Sequence, residues 1–404
     1  MKTQNSTFAC RSIVVLSLSI GLSSVACKNH AESTASNPKE RTAQSAPLPQ
    51  QGIPTVESKI RDDDLLLWKS RERLLPNQES LTGIQFFDQN NGWIATHEGS
   101  VYRTTDGGNR WQRIKPPIPN EAYISSFFFT NISDGWIACG LKSSDVLEPR
   151  GNKVWLFRTK DSGRTWTLQY QNEAVQLLRV RFANEQEGWA VGTQFVMRDT
   201  LQTVPFLIRT IDEGANWINL SGNLSITRPG NGFTDVYADS SSDATLLAWN
   251  GDIFRTVNGG QDWQQVAVLH NEPEQTYMGH LVKLSNGGGM LAAGGADSLE
   301  GFWGVLTRRD PDGRVKQYRV NCYISDLVAI SDTTLLISGH IILPASRFTT
   351  AQRQGVILHS SDGGQTWSTV YRSAVSSLNA LAVSDACTVW AVGENGLVLN
   401  LNIP

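Results

Sequence analysis

The sequence predicts an all-β protein, a seven-bladed β-propeller of four-stranded antiparallel blades closed into a ring by an N-terminal outer strand. Three observations predict it. One eight-residue turn is written five times, a Gly-Trp strand repeatedly precedes that turn, and the chain stops three strands into its last unit. A unit of roughly 50 residues is the period of a propeller or array, not of separate domains.

The turn is clearest as Ser360-Ser-Asp-Gly-Gly-Gln-Thr-Trp367. Its other copies end at Trp111, Trp166, Trp217 and Trp263 and place Asp106, Asp161, Asp212 and Asn258 where the fifth has Asp362. A hydroxyl and a short carboxylate satisfy backbone N–H groups, and Gly supplies the positive φ that closes a hairpin. The Trp then opens the next strand with a large apolar plate. The lead-in strand recurs as Gly92-Trp93-Ile-Ala95, Gly135-Trp136-Ile-Ala138, Gly188-Trp189-Ala-Val-Gly192 and Trp390-Ala-Val-Gly393.

This turn resembles the Asp-box, or BNR, repeat of sialidases, sortilins, xyloglucanases and the photosystem II stability/assembly factors. The longer sentence, Gly-Trp-Ala-Val-Gly followed by Arg-Thr-x-Asp-Gly-Gly-x-x-Trp, looks most like the assembly-factor family. The resemblance covers about residues 64–404 and implies a propeller; the box itself is structural in all these families, so it says little about activity.

In chain order, residues 1–26 read as a signal peptide: Lys2 and Arg11, the apolar run 12–22, and a small-residue exit. Ser24-Val-Ala-Cys27 resembles a bacterial lipobox with Ser where Leu is usual. Cys27 is therefore the expected lipid carrier, and plain cleavage after Ala26 is the alternative. Residues 27–60 are rich in Ser, Thr, Pro, Gln and charge and read as a flexible tether to a membrane. The propeller is assigned to 61–404.

A sixth turn lies at Asp310-Pro-Asp-Gly313, with Tyr318 in place of the Trp, and a seventh unit runs from Ser377 to Leu401. Its missing strand is expected at Asp64–Arg73, with Leu65, Leu66, Leu67 and Trp68 pairing to Leu397–Leu401. Closure removes exposed sheet edges.

If strands a to d run outward from the centre, the boxes sit at c–d turns on one face. The b–c connections open on the other and hold the insertions Leu141–Lys153, Thr193–Pro205, Gly295–Gly301 and His340–Gly355. Long loops on a rigid scaffold are usual working surfaces. Arg150, Arg198, Arg347 and Arg353 are the binding residues expected there, for carboxylates or a protein partner. Asp145, Glu148, Asp199, Asp297, Glu300 and His340 share those loops. Arg103, Arg158, Arg209 and Arg255 recur ahead of the boxes, with His359 in the fifth place. They read as partners of box carboxylates, with a basic ring for a partner as the alternative.

With 35 basic and 38 acidic residues the formal net charge is −3, which gives no pull toward nucleic acid. Thirteen Trp residues, all after position 67, read mainly as blade packing. Cys139 reads as a buried thiol, and a Cys322–Cys387 bridge is open in an exported protein. No zinc motif, phosphate loop or nucleophile elbow occurs, so no cofactor or metal is implied. The Phe/Tyr-Arg-Ile-Pro signature of sialidases is absent, and xyloglucanase-type catalysis would need two propellers with facing carboxylates. The reading is a non-enzymatic, exported, monomeric scaffold, lipid-anchored in a bacterial envelope. It would assist assembly of a membrane complex, photosystem II if the organism is photosynthetic. A sialidase-like glycoside hydrolase or glycan-binding protein is the alternative.

Overall fold

The computed structural model describes residues 55–403 except 62–67, 142–151, 198–199, 225–231, 241, 269–274, 286–288, 299–300, 344–351, 374–376 and 386–387. The described residues form seven antiparallel blades. Blade 1 runs from Leu81–Phe86 through Gly92–Thr96 and Val101–Thr104 to Gln112–Ile114. Blades 2 to 6 repeat that order, with innermost strands Tyr123–Phe129, Val175–Phe182, Phe233–Ala238, Gln275–Lys283 and Tyr323–Ala329. Blade 7 is Leu378–Asp385, Thr388–Gly393 and Leu397–Asn402, completed by Lys69–Leu74. The innermost strands touch in cyclic order, blade 7 against blade 1 included, so the ring is closed.

Period-2 alternation builds each strand. Val175-Gln-Leu-Leu-Arg-Val-Arg-Phe182 buries Val175, Leu177, Val180 and Phe182 and turns Arg179 and Arg181 inward to the axis. The core lies in layers between blades. In the layer between blades 1 and 2, Trp93 of strand b stacks on Phe129 of the next blade's strand a at 4.3 Å, and Trp166 meets Phe129 edge-on. Trp136 with Phe182 and Trp217, and Trp390 with Phe86 and Trp111, repeat that arrangement. The Gly before the Trp makes room for the Phe of the paired strand a: a Cβ at Gly135 would lie 2.3 Å from Phe129 Cγ.

Four expectations are corrected. The closing strand is Lys69–Leu74, paired from Lys69↔Asn402 to Leu74↔Leu397. Trp68 precedes it and is buried, and Leu65–Leu67 lie outside the described residues. The polar run pairs because an outermost strand needs backbone partners more than an apolar face. Secondly, part of the expected tether is sheet. Thr55–Glu57 adds in parallel to the outer strand of blade 5, and Lys59–Arg61 to that of blade 6. Ser58 donates its N–H to Arg319 at 2.9 Å and its hydroxyl to Gly364 at 3.2 Å. Thirdly, three expected loops are β-ribbons. Strands b and c stay paired to Met197↔Leu201 in blade 3, Ser298↔Gly301 in blade 5 and Leu343↔Gln352 in blade 6. Finally, Cys322 is a free buried thiol, which burial pushes up to about 12; Cys387 lies outside the described residues.

Candidate functional site

The box turns are closed units. Thr159 Oγ1 donates to Asp161 Oδ1 at 2.9 Å and accepts the Gly163 N–H at 2.8 Å. Asp161 also accepts the Thr165 N–H and hydroxyl, which with the other bonds hold its carboxyl down at about 2. Thr104 with Asp106, Thr210 with Asp212 and Ser360 with Asp362 match at 2.9–3.0 Å. Asn258 does the same as an amide, at 2.9 Å from Thr256. With their own donors and acceptors satisfied, these turns offer little to a ligand.

Two of the recurring arginines, Arg158 and Arg209, reach into the next blade, and the partners of Arg158, Arg209 and Arg255 are not the carboxylates of their own boxes. Arg158 grips both oxygens of Asp134, at 2.8 and 2.7 Å, and donates to the carbonyl and carboxylate of Glu213 in the next blade. Arg255 makes the same bidentate pair with Asp243. Arg209 donates to the Gly259 carbonyl and lies over Trp189. The acid stands in the a–b turn because that turn shares the box face. His359 packs against Trp68.

The axial channel encloses about 400 Å³. Every innermost strand slips register at an equivalent point, at Leu81/Gly83, Ile124/Ser126, Leu177/Arg179, Phe233/Asp235, Met278/His280, Ile324/Asp326 and Leu378/Ala380. A bulge re-aims the next side chain, and here that residue reaches toward the neighbouring blade. Arg179 pairs with Asp235 at 3.1 Å; Asp235 accepts the Leu281 N–H at 3.0 Å. His280 meets Asp326 at 3.3 Å; Asp326 accepts the Leu381 N–H at 2.9 Å. The polar arc thus runs through blades 3 to 6, whereas Ser126, Gly83 and Ala380 hold the same place elsewhere. Burial lowers His280 against the opposing pull of Asp326, and burial together with neighbouring Arg179 lowers Arg181 to about 10.

At the mouth opposite the boxes, the residue before the bulge is Tyr123, Tyr277 or Tyr323 in blades 2, 5 and 6. Each ring meets another: His97 at 5.3 Å, Trp249 at 4.9 Å and His340 at 4.9 Å. Burial, and then the charge of Arg353, push His340 down to about 4, so it is neutral at pH 7. This aromatic collar and the three ribbons occupy one face. Met197 and Ile342 are exposed near the ribbon ends of blades 3 and 6.

Of the four expected binding arginines, Arg353 is described: it is exposed on the blade 6 ribbon, opposite Ile342. Arg150, Arg198 and Arg347 lie outside the described residues, as do Asp145, Glu148, Asp199 and Cys27. The channel residues Arg179, Arg181, Asp235, His280 and Asp326 were missed. Their signal is a charged or titratable residue just ahead of a buried one in the innermost strands of blades 3 to 6, as in Asp326-Leu and His280-Leu.

The family described as photosynthesis system II assembly factor YCF48 matches residues 150–293. The photosystem II assembly lipoprotein Ycf48 of Synechococcus sp. (strain CC9902) is 23% identical over 246 residues, covering 52% of this chain and 70% of its own. The photosystem II assembly protein Ycf48 of Synechococcus sp. (strain JA-2-3B'a(2-13)) is 27% identical over 274 residues, covering 52% of this chain and 82% of its own. Among solved structures, YCF48 bound to D1 peptide superposes with a TM-score of 0.57 at 17% identity, covering 87% of this chain and 99% of that one. The GH74 xyloglucanase from Xanthomonas campestris gives 0.56 at 16% identity, over 82% of this chain but 53% of its own. The chain is an Asp-box β-propeller whose sequence likeness runs to the photosystem II assembly factors.

Proposed function

We propose that this propeller is a non-enzymatic assembly scaffold that holds an extended segment of a membrane-protein subunit against its ribbon face. The observation that carries the reading is the asymmetry of the two faces. Box turns close one side with their own hydrogen bonds, while ribbons and the aromatic collar gather on the other. Extended peptides suit such a surface: strand edges give main-chain hydrogen bonds, and rings take side chains. Sequence likeness to proteins named for photosystem II assembly, together with fold likeness to a YCF48 solved with a D1 peptide, makes a photosystem II subunit the first partner to try. The chain spans about half of the xyloglucanase it superposes on, so likeness to that enzyme supports the fold and not hydrolysis. Lipid on Cys27 would hold the scaffold at the membrane carrying the complex, on its periplasmic or lumenal side.

The test is binding of a fluorescent D1 peptide to the wild type and to a variant with Arg150, Arg198, Arg347 and Arg353 all replaced by Ala. The reading expects weakened binding with an unchanged melting temperature. Equal binding by both proteins would remove these arginines from the site.

A further inference from the structure

On the box face, the arginine at the boundary of blades 1 and 2 lacks an acid at both of the places where blade 2's Arg158 has one. At the boundary of blades 3 and 4, Arg209 keeps Glu187 at the first place and meets the Gly259 carbonyl at the second. At the boundary of blades 2 and 3, Arg158 lies 4.4 Å over Trp136 and is answered by two acids, Asp134 and Glu213. Arg255 in blade 4 and Arg308 in blade 5 each meet a carboxylate, Asp243 and Asp310. Arg103 stands at the equivalent place in blade 1, opposite Trp93 in register and 5.9 Å over its ring. Both of its expected acids are replaced by neutral residues: Asn91 stands where blade 2 has Asp134, and Ser162 where blade 3 has Glu213.

Instead of an acid, this boundary holds a second cation. The box of blade 2 packs on the same indole, since a Cβ at Gly163 would lie 3.2 Å from Trp93. The next residue is Arg164, which is exposed. Arg103 Nε is buried with no hydrogen-bond partner among the described residues. Asp88, the acid of the nearby turn, is held by the N–H groups of Asn90 and Asn91 and the Asn91 amide. Burial, and then the Arg164 charge, lower the Arg103 guanidinium. Desolvating a cation beside a like charge is unfavourable until an anion arrives.

We propose that this notch between blades 1 and 2 is a carboxylate-binding site, in which Arg103 and Arg164 grip an acidic side chain of a partner polypeptide. The fork of a guanidinium suits a carboxylate in two-point contact, as Arg158 already shows with Asp134. The site lies on the face opposite the ribbons and does not rest on the ribbon-face reading.

The decisive variant is Ser162→Glu, which installs the acid that blade 3 carries. Ser162 and Glu213 have the same left-handed backbone, φ 61 and 65, and both donate their N–H to the preceding a–b turn, so a Glu fits there. Arg164→Ala is the second variant and leaves the core untouched. The probe is a fluorescent, end-capped peptide of alternating Glu and Ser, with a Gln-for-Glu control and inorganic phosphate as a competing free oxyanion. The wild type is expected to bind the Glu peptide and not the Gln peptide, with each variant weaker by about tenfold or more. Ser162→Glu is also expected to raise the melting temperature. Binding that survives either substitution, equal binding of the Gln peptide, no binding of the Glu peptide to the wild type, or a lower melting temperature in Ser162→Glu would overturn the site. Displacement of the peptide by phosphate at equal charge concentration would overturn its assignment to a polypeptide.

Discussion

Arg158 and Asp134 meet in a two-point ion pair, 2.8 and 2.7 Å, with both side chains largely buried. The guanidinium also caps Trp136 and reaches Glu213 in the next blade, so one residue ties a turn, a core indole and a neighbouring box. Breaking such a pair leaves an uncompensated buried charge. Asp134→Asn or Arg158→Ala is expected to lower unfolding free energy by about 3 kcal/mol. Arg255→Ala, whose pair with Asp243 is more open to water, is expected to cost about 1 kcal/mol or less. Urea titrations of the variants compare the two; similar losses would contradict the assignment of burial.

The box acids predict an acid limb to stability. Asp106, Asp161, Asp212 and Asp362 all have lowered carboxyls, Asp161 to about 2 from 3.8. A group depressed in the folded state contributes stability that is present above its unfolded pKa and lost as pH falls through the folded one. The loss is therefore expected between about pH 4 and pH 2. Replacing the four acids by Asn, which the fourth box already uses at Asn258, is expected to flatten that limb. Asp362→Ala is expected to cost about 1–3 kcal/mol through turn donors left without an acceptor. Thermal melts across pH 2–7 read both effects.

The box turn was legible in the sequence because its chemistry is local: Thr159, Asp161 and Gly163 satisfy one another within five residues. Blade count followed from repetition of that turn. The closing strand was located but misregistered, because Trp68 imitates a box Trp while the pairing backbone starts at Lys69. The ribbons were read as loops because their polar alternation, as in Gln202-Thr-Val-Pro, shows no buried face. The channel residues were invisible for a different reason. Whether Asp235 or Arg179 faces the axis depends on a bulge that only the closed ring reveals. The partner of Arg158 was likewise set by which turns share a face, not by spacing along the chain.

Ring closure makes the Lys69–Leu74 strand a stability element. Removing it would bare the Leu397–Asn402 edge, whose alternating Leu residues pack in the core. Deleting 69–74 is expected to cause aggregation or loss of cooperative unfolding. A soluble monomer with an unchanged melting temperature would refute closure by this strand.

Cys27 is expected to carry lipid. A Cys27→Ser variant expressed in the native host should move from the membrane pellet to the soluble fraction after cell breakage. Unchanged pelleting would leave Ser24-Val-Ala-Cys27 as an ordinary cleavage site and assign membrane association to the propeller itself.

The segment from Thr55 to Arg61 gives the sharpest division within the expected tether. Thr55–Glu57 and Lys59–Arg61 each make a short parallel ladder on a different blade, and Ser58 binds both neighbours between them. Parallel pairs of three residues are individually weak, but here they cover two outer edges that would otherwise be open. Blade 5 is also the blade whose turn lacks the Thr-x-Asp-x-Gly pattern and whose box Trp is replaced by Tyr318. Deleting 28–50 is therefore expected to leave the melting temperature unchanged, whereas deleting 28–61 lowers it. Hydrogen exchange should show which blades lose protection. Faster exchange confined to Val315–Val320 and Thr366–Arg372 is the expected result, and equal exchange in the two deletions would show that the segment contributes no stability to the blades it touches.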